Sequence, residues 1–436
     1  MRLRDLLEID FFLLFAAVVL SVFGVLFIYS SGLTSSGTLV SNEYLRQILW
    51  AISGLIIALA LSMVDYHRLR GLSVYFYPAT LALLAYTCLN GRLVNGARAW
   101  IGIGSFGIQP SEFAKITTIV LLARFLDDTR KSPRSFFRFA FSCMIVFIPM
   151  GLILIQPDFG TSLVFIPILL VMTFIAGVAI RYVLFLTAFI GLTGLLMVLP
   201  LWQRYILHNS IPSLQILSSN RFTLITVAAL SIAAAIALFG FIKYKKRCFF
   251  WILYGVTVFI LSLGASFVSR GVLKDYQIMR LIVFLDPNVD PQGAGWNIIQ
   301  SITAIGSGGL LGKGYLQGTQ SHYRFLPQQS TDFIFSIFSE EWGLLGGILV
   351  FMLFLLICLR LVRIINTTTD SFGAYIAAGL SGMYAFHFLI NVGMTMGIMP
   401  ITGIPLLFMS YGGSAAISAM TGVGLALSIH VRRFQH

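Results

Sequence analysis

The chain has 436 residues, of which 58% are hydrophobic and only 10% charged, and its mean hydropathy is +0.91. This composition excludes a soluble globular domain, whose surface must be wetted, and predicts a polytopic integral membrane protein. The net charge of +13 does not indicate nucleic-acid binding, because the Lys and Arg residues are scattered through short loops. Such a pattern is typical of topology signals and of attraction to anionic lipid headgroups.

Apolar runs of about 20 residues, the length that a helix needs to cross a bilayer, follow one another along the chain. Arg2 and Arg4 precede the first run and predict a cytoplasmic N-terminus, since Lys and Arg are held on that side. This run lacks a small-residue cleavage site, so we expect a retained span and not a signal peptide. The first seven spans are predicted at about 10–30, 47–64, 74–89, 111–126, 139–155, 163–180 and 182–199.

Two further runs, 224–242 and 249–267, flank the cationic turn Lys243–Arg247 and predict an inserted two-helix hairpin over 221–268. If that turn is cytoplasmic, the long segment 269–340 lies outside the membrane. The last spans are predicted at about 342–361, 372–394 and 415–430. The fold class is therefore an all-α polytopic membrane protein with about 12 transmembrane helices, one integral membrane domain over 1–436 and both termini cytoplasmic.

The stretch 284–300, FLDPNVDPQGAGWNIIQ, interrupts the apolar pattern with acids, prolines and glycines. Such residues indicate a shaped, wet loop and not a spanning helix. We hypothesise that Asp290 is the reactive carboxylate of an enzyme that works at the outer membrane surface. Asp286 precedes Pro287 and begins a turn, so we interpret it as structural.

Glu112 and Lys115 lie three residues apart at the outer end of the fourth span and share a helix face. They either form a self-neutralising pair that tolerates burial or line a cavity. Ser111 is predicted to cap this helix, with Pro110 preventing an earlier start. The free backbone N–H groups of such a helix start would suit an anionic phosphate.

Other polar residues allow a structural and a functional interpretation. Asp158 either caps the sixth span or belongs to the site, and Arg98 lies beside Trp100 in an outer loop. His387 and Asn391, one helical turn apart, are predicted to bond neighbouring helices and not a metal. Acids at the entrance to the span near Trp342 are predicted to serve the helix dipole; they are Asp332, Glu340 and Glu341.

Several long motifs, in this order along the chain, resemble the SEDS family of shape, elongation, division and sporulation proteins. They are RLVNGARAWIGIGSFGIQPSEFAKI, QPDFGTS, FLDPNVDPQGAGWNIIQSITAIGSGGLLGKGYLQGTQ, FLPQQSTDFIFSIFSEEWGLLGG and GIMPITGIPLLFMSYGGSA. The third and fourth are most similar to the rod-shape branch. The resemblance covers almost the whole chain, and the hairpin 221–268 departs from it by adding two spans to the family's ten.

The resemblance implies a peptidoglycan glycosyltransferase that polymerises lipid II at the outer face of the cytoplasmic membrane, with a class B penicillin-binding protein and the elongation machinery as partners. The family's essential acid falls on Asp290, in an extracytoplasmic catalytic loop over 269–340. We assign that residue as the base that activates the acceptor sugar, with inversion at the anomeric carbon. The expected substrate-binding residues are Glu112, Lys115, Arg98, Asp158, Ser111 and Gln300.

No cofactor is certain, although a divalent cation such as Mg²⁺ or Mn²⁺ is plausible for diphosphate chemistry. Two other classes of function stay open at this point. A lipid II flippase would also place acids and cations inside a polytopic bundle, and a scaffold would only position the penicillin-binding protein. The wet loop with Asp290 favours the enzyme, because a flippase needs no base there.

Overall fold

The structure is a computed structural model that describes residues 9–94, 96–103, 106–207, 220–272 and 275–434. These residues form two compact units. The first comprises Met1–Val178 and Gln300–His436, and the second comprises Ala179–Ile299.

The first unit begins with three long helices and a small antiparallel sheet in the order β1-β2-β3. Arg92 pairs with Trp100 between β1 and β2, and Ile101 pairs with Ile108 between β2 and β3. This stretch is predicted as an outer loop from the sequence, and the sheet is an addition to that prediction. The bounds are α1 (Phe11–Ser31), α2 (Glu43–Met63), α3 (His67–Asn90), β1 (Arg92–Val94), β2 (Ala97–Ile103) and β3 (Phe106–Ile108).

Four helices follow in the same unit. The predicted single span 163–180 is wrong in its bounds, because the helix starts earlier, is interrupted after Leu163 and ends at Ile175. These helices are α4 (Pro110–Asp128), α5 (Phe136–Ile155), α6 (Phe159–Leu163) and α7 (Phe165–Ile175).

The second unit contains the predicted hairpin. Its second helix contacts the preceding helix Ile180–Trp202 through two hydrogen bonds, from Tyr254 Oη to the Arg181 carbonyl at 2.8 Å and from Ser262 Oγ to the Phe189 carbonyl at 3.2 Å. A hydroxyl that bonds a backbone carbonyl across a helix pair is a common way to join apolar helices in a membrane. The helices are α8 (Ile180–Trp202), α9 (Asn220–Tyr244), α10 (Arg247–Val272) and α11 (Asp275–Leu285), with a 3-10 turn at Pro287–Val289.

The segment 269–340, which is predicted to lie outside the membrane, contains several helices. Besides α11 it contains α12 (Ala294–Gly308), α13 (Thr319–His322) and the first turns of α14 (Ile334–Thr367). Helix α14 therefore begins well before the predicted start near Trp342 and is interrupted at Gly343, whose φ of 64° and ψ of −161° are not helical.

Two helices complete the first unit, α15 (Ser371–Thr395) and α16 (Gly413–Val431), and they are its most buried spans. Helix α16 packs against α2, and α15 packs against α4, α7 and α14. Ten helices in the described part of the chain are long and apolar enough to cross a membrane. Together with the charged helix α4 and the shorter run Phe159–Ile175, they account for the predicted twelve, and the chain is a multi-pass membrane protein.

Candidate active site

Asp290 lies in the turn between the 3-10 segment and α12, in the second unit. Its backbone carbonyl accepts hydrogen bonds from Gly295 N at 2.9 Å and Gly293 N at 3.3 Å, so it ties the turn to the start of α12. Asp286 caps the 3-10 segment instead, because its Oδ1 accepts from the backbone and side-chain nitrogens of Asn288 at 2.9 and 3.0 Å. The interpretation of Asp286 as a turn residue is confirmed.

The half-buried Asp290 carboxylate rests against Gly293. A Cβ atom at position 293 would lie 2.2 Å from Asp290 Oδ2 and 2.7 Å from Oδ1. A Cβ at position 295 would lie 2.2 Å from the Pro287 carbonyl oxygen. Both distances are far below van der Waals contact. Gly293 thus leaves room for the carboxylate in its present position, and Gly295 leaves room for the backbone of the turn.

In the first unit, the start of α4 differs from the prediction. The N-cap is Gln109, Pro110 is the first helical residue, and Ser111 follows inside the first turn. The prediction that Ser111 caps the helix is wrong, because proline has no N–H to lose and suits the first helical position. Ser111 is fully buried, and its Oγ has no hydrogen-bond partner among the described residues.

Glu112 and Lys115 form the predicted ion pair, with Lys115 Nζ 2.8 Å from Glu112 Oε1. Both side chains are at most 2% exposed. Lys115 Nζ also lies 3.0 Å from Nε2 of His387, on α15. A buried ammonium and carboxylate are costly unless each is paired and hydrogen-bonded, and here the lysine has two partners. Glu112 Oε2 has none among the described residues.

Asp158 caps α6, since its Oδ1 accepts from Thr161 N at 3.1 Å and its Oδ2 from Thr161 Oγ1 at 2.8 Å. The capping interpretation is confirmed. The same Oδ2 also accepts from Gln109 Nε2 at 3.0 Å, so the carboxylate joins this cap to the start of α4. Gln109 N in turn donates to Ser414 Oγ, at the start of α16, at 2.9 Å.

The segment 402–405 runs alongside these groups. His387 Nδ1 lies 3.0 Å from the Pro405 carbonyl oxygen, and Asn391 Nδ2 donates to the Ile404 carbonyl at 2.8 Å. A Cβ at Gly160 would lie 2.2 Å from the Thr402 carbonyl oxygen, so the turn after Asp158 touches the same segment. The prediction that His387 and Asn391 bond neighbouring helices is confirmed for His387, which contacts Lys115 of α4. It is wrong for Asn391, which bonds the carbonyls of Ile404 and Asp332 outside the helices. We call the group that these contacts connect the polar cluster: Gln109, Glu112, Lys115, Asp158, His387, Asn391 and Ser414.

The remaining predicted residues are distributed differently. Arg98 is exposed on β2, and its backbone N donates to the Gln156 carbonyl at 3.3 Å, two residues before Asp158. Gln300 is half-buried in α12. Its neighbour Ser301 fixes that helix by bonds of 2.6 Å to Ser336 Oγ and to the Thr395 carbonyl.

Glu340 and Glu341 are not at a helix start, so the prediction that they serve the dipole of the span near Trp342 is wrong. They lie inside α14 and are fully buried. Glu340 Oε1 accepts from Lys313 Nζ at 2.7 Å and from the backbone N of Thr319 and Gln320 at 2.8 and 3.0 Å. Glu341 accepts from Ser30 Oγ and from Leu316 N. These acids hold the segment 313–320 in place.

Burial lowers the pKa of His322, at the end of α13, although the negative charge of Glu340 acts in the opposite direction. Among the described residues, no group of three or more His, Cys, Asp or Glu side chains could hold a metal ion. Sequence reasoning did not find Gln109, Ser414 or the lysine contact of His387. The spacing of His387 and Asn391 signalled a polar helix face, but no local signal connects residues 272 positions apart.

Comparison with known proteins extends these observations. A family model described as cell cycle protein, for FtsW, RodA and SpoVE, matches residues 11–219 and 214–435. The peptidoglycan glycosyltransferase RodA of Treponema pallidum is 50% identical over 433 residues, which are 99% of this chain and 100% of the relative. The peptidoglycan glycosyltransferase MrdB of Escherichia coli K12 is 31% identical over 98% of this chain and 95% of its own length.

Two solved structures are similar along their whole length. One is a chain from a structure described as structural coordination of polymerization and crosslinking by a peptidoglycan synthase complex. It is 26% identical to this chain with a TM-score of 0.66, and the match covers 98% of this chain and 99% of the other. The other is the rod shape determining protein RodA of Thermus thermophilus, at 24% identity and a TM-score of 0.61, with 98% of each chain covered. The second supports the fold alone.

Proposed function

The chain belongs to the family of the cell cycle proteins FtsW, RodA and SpoVE, and we propose that it is a peptidoglycan glycosyltransferase that polymerises lipid II during cell elongation. Relatives named peptidoglycan glycosyltransferase align with nearly the full length of this chain. The reaction takes place at the outer face of the cytoplasmic membrane, where lipid II headgroups are presented.

The observation that carries the catalytic assignment is the position of the Asp290 carboxylate, which lies directly against Gly293. The acceptor is a sugar hydroxyl, which is a poor nucleophile until a base removes its proton. Asp290 takes the proton of the 4-hydroxyl of the acceptor GlcNAc while that oxygen attacks the anomeric carbon of the donor. The bond from this carbon to the diphosphate breaks, and the configuration inverts. A retaining enzyme would need a second carboxylate as nucleophile.

The departing polyprenyl diphosphate accumulates negative charge, which fixed donors and cations stabilise. Arg98 is exposed on β2 and can reach a ligand directly. Lys115 is only 1% exposed and committed to Glu112 and His387. We therefore assign Lys115 an indirect role, in which its positive charge lies behind the start of α4 and the backbone N–H groups of that start would bind the anion. Ser111, whose buried Oγ has no partner among the described residues, stays a proposed contact at the same helix start.

Asp158 has the role of orienting Gln109 through their 3.0 Å bond. Glu112 and Gln300 stay proposed substrate contacts. Glu112 keeps one buried carboxylate oxygen without a partner among the described residues, and an acceptor of this kind suits a sugar hydroxyl.

A divalent cation, Mg²⁺ or Mn²⁺, would supply charge neutralisation for the diphosphate. Because the described residues hold no group of three or more candidate ligands, such a cation would take most of its ligands from the diphosphate and water, as Mg²⁺ commonly does. Asp290 is the carboxylate that would meet it.

A class B penicillin-binding protein is the partner that would crosslink the glycan. This proposal is supported by the similar chain whose description concerns a peptidoglycan synthase complex. Lys243–Arg247 would face the cytoplasm with both termini, and the outer segment 269–340 would face the partner's extracytoplasmic part.

The test is polymerisation of purified lipid II by the full chain in liposomes. The proposal predicts glycan strands of several disaccharide units and release of polyprenyl diphosphate, even without the partner protein. A chain that binds lipid II, or moves it between leaflets, without forming any glycosidic bond would refute the proposal in favour of a transporter or scaffold.

A further inference from the structure

The histidine on α15 has two neighbours that together fix where its protons are. His387 is only 1% exposed, so no bulk water competes for its ring nitrogens. Nδ1 lies 3.0 Å from the Pro405 carbonyl oxygen, which can only accept a hydrogen bond. Nε2 lies 3.0 Å from Lys115 Nζ, which as an ammonium can only donate. The ring must therefore be neutral, with its proton on Nδ1 and its lone pair on Nε2 directed at the lysine.

This arrangement fixes the position of Lys115 from two sides. Glu112, three residues earlier on α4, accepts one hydrogen bond from the ammonium, with 2.8 Å between Nζ and Oε1. His387 Nε2, on α15, accepts a second at 3.0 Å. The side chain of a lysine is flexible, and a second hydrogen-bond acceptor restricts it to the rotamers that keep both contacts. Without His387, the ammonium would keep only its own helix as a partner.

The imidazole also connects three parts of the first unit. It joins α4 through Lys115, α15 by its own position, and the segment 402–405 through Pro405. Asn391, one turn further along α15, bonds the Ile404 carbonyl, so this segment is held at two successive levels. Ser418 Oγ donates to the Glu112 carbonyl at 2.9 Å from α16. The backbone around Glu112 is thereby fixed, and its side chain is oriented by the lysine.

We propose that His387, as the neutral Nδ1–H tautomer, is a positioning residue that holds Lys115 against Glu112 and so directs the second Glu112 oxygen toward the substrate. The inference rests on the proposed glycosyltransferase function, in which Glu112 contacts the substrate. The oxygen available for that contact, Glu112 Oε2, has no partner among the described residues. His387 itself touches no reacting atom.

Two substitutions of His387 test the contacts of its two ring nitrogens separately. In His387→Gln, the side-chain amide reaches about as far as Nε2 and places an acceptor next to Lys115. In His387→Asn, the amide ends near the position of Nδ1, so it can donate to Pro405 but leaves the lysine without its acceptor. Because a hydrogen bond to a charged group contributes about 1.5–3 kcal/mol, we expect kcat for lipid II polymerisation to fall about 10- to 100-fold in His387→Asn. His387→Gln should keep most of the wild-type kcat.

The control is His430→Gln, the same change at a buried histidine of α16 that lies outside the polar cluster. It should keep the wild-type kcat and KM. A thermal unfolding midpoint for each variant identifies those that fail to fold. If the folded His387→Asn and His387→Gln proteins have equal kcat values, or if the histidine acts only through KM, the positioning role is refuted.

A second measurement does not depend on activity. In protein labelled with ¹⁵N-histidine, the ring signal that disappears in His387→Gln belongs to His387. We expect it to show one protonated and one unprotonated nitrogen, with the proton on Nδ1. An imidazolium or an Nε2–H tautomer would overturn the inference. If wild-type protein makes no glycan but shows the expected tautomer, the proposed function has failed and the contact stands.

Discussion

Gly293→Ala is the sharpest structural perturbation of the proposed base. The new Cβ would lie 2.2 Å from Asp290 Oδ2, whereas a carbon and an oxygen in close contact are about 3.3 Å apart. The carboxylate must therefore move by about 1 Å. The backbone of Gly293 is not in the left-handed region, so alanine is otherwise tolerated, and the Asp290 side chain can rotate away without unfolding the turn.

A displacement of about 1 Å at a reacting group costs on the order of 10²-fold in rate, which is about 2.7 kcal/mol in activation free energy. We expect Gly293→Ala to lower kcat for lipid II polymerisation by this factor and to leave the thermal unfolding midpoint within a few degrees of the wild type. The assay is gel analysis of glycan made in liposomes from a fluorescent lipid II.

Gly306→Ala is the matched control, since a Cβ at that position of α12 meets nothing within 4 Å. It should keep the wild-type rate and stability. Gly295→Ala should differ from both, because its Cβ would meet the backbone carbonyl of Pro287 at 2.2 Å and so disturb the turn itself. A Gly293→Ala protein with a wild-type kcat would show that the position of the Asp290 carboxylate does not limit the reaction.

Three further predictions concern stability and the hairpin. Lys313→Met leaves the buried Glu340 carboxylate without its cation, so we expect a loss of up to about 3 kcal/mol in unfolding free energy, read as a lower thermal midpoint than that of the exposed control Lys243→Met. Burial lowers the pKa of His322, so the unfolded chain binds more protons than the folded chain, and stability should fall as the pH drops below about 6.5. His322→Gln should reduce this pH dependence of the thermal midpoint. A variant with the pH profile of the wild type would contradict the prediction. A protein that lacks residues 221–268 should keep its polymerisation activity, since no proposed site residue lies there. Its thermal midpoint should be lower, because the contacts of Tyr254 and Ser262 with α8 are lost. An inactive but folded deletion protein would give the hairpin a catalytic role.

The spans were predictable because each depends on its own sequence. Runs such as Phe136–Ile155 and Ser371–Thr395 are apolar over the length of a bilayer, and their predicted bounds differ from the observed ones by only a few residues. Asp158 as a cap and the pair Glu112–Lys115 were also predictable, since each contact joins residues only three positions apart.

The features that were missed depend on partners far along the chain. The polar stretch before Trp342 resembled an outer loop, yet it starts α14, because Glu340 and Glu341 are satisfied by Lys313, Leu316 and Ser30. Strands β1 and β3 have only three residues each, and β2 and β3 contain glycine, so the alternation of apolar and polar residues is too weak to detect.

Ser111 looked like a cap because serine is common at that position, but the proline before it already fits the first helical turn. The contact between Lys115 and His387 required the packing of α4 against α15, which no local pattern specifies.

The central claim is that Asp290 is the base of the polymerisation reaction, and Asp290→Asn tests it most directly. Asp286→Asn is the matched control, because Asp286 belongs to the same segment and caps the 3-10 turn. With purified lipid II and protein in liposomes, we predict that Asp290→Asn lowers kcat by about 10²- to 10⁴-fold, while Asp286→Asn stays within a few-fold of the wild type. Glycan formation at the wild-type rate by folded Asp290→Asn protein would contradict the account.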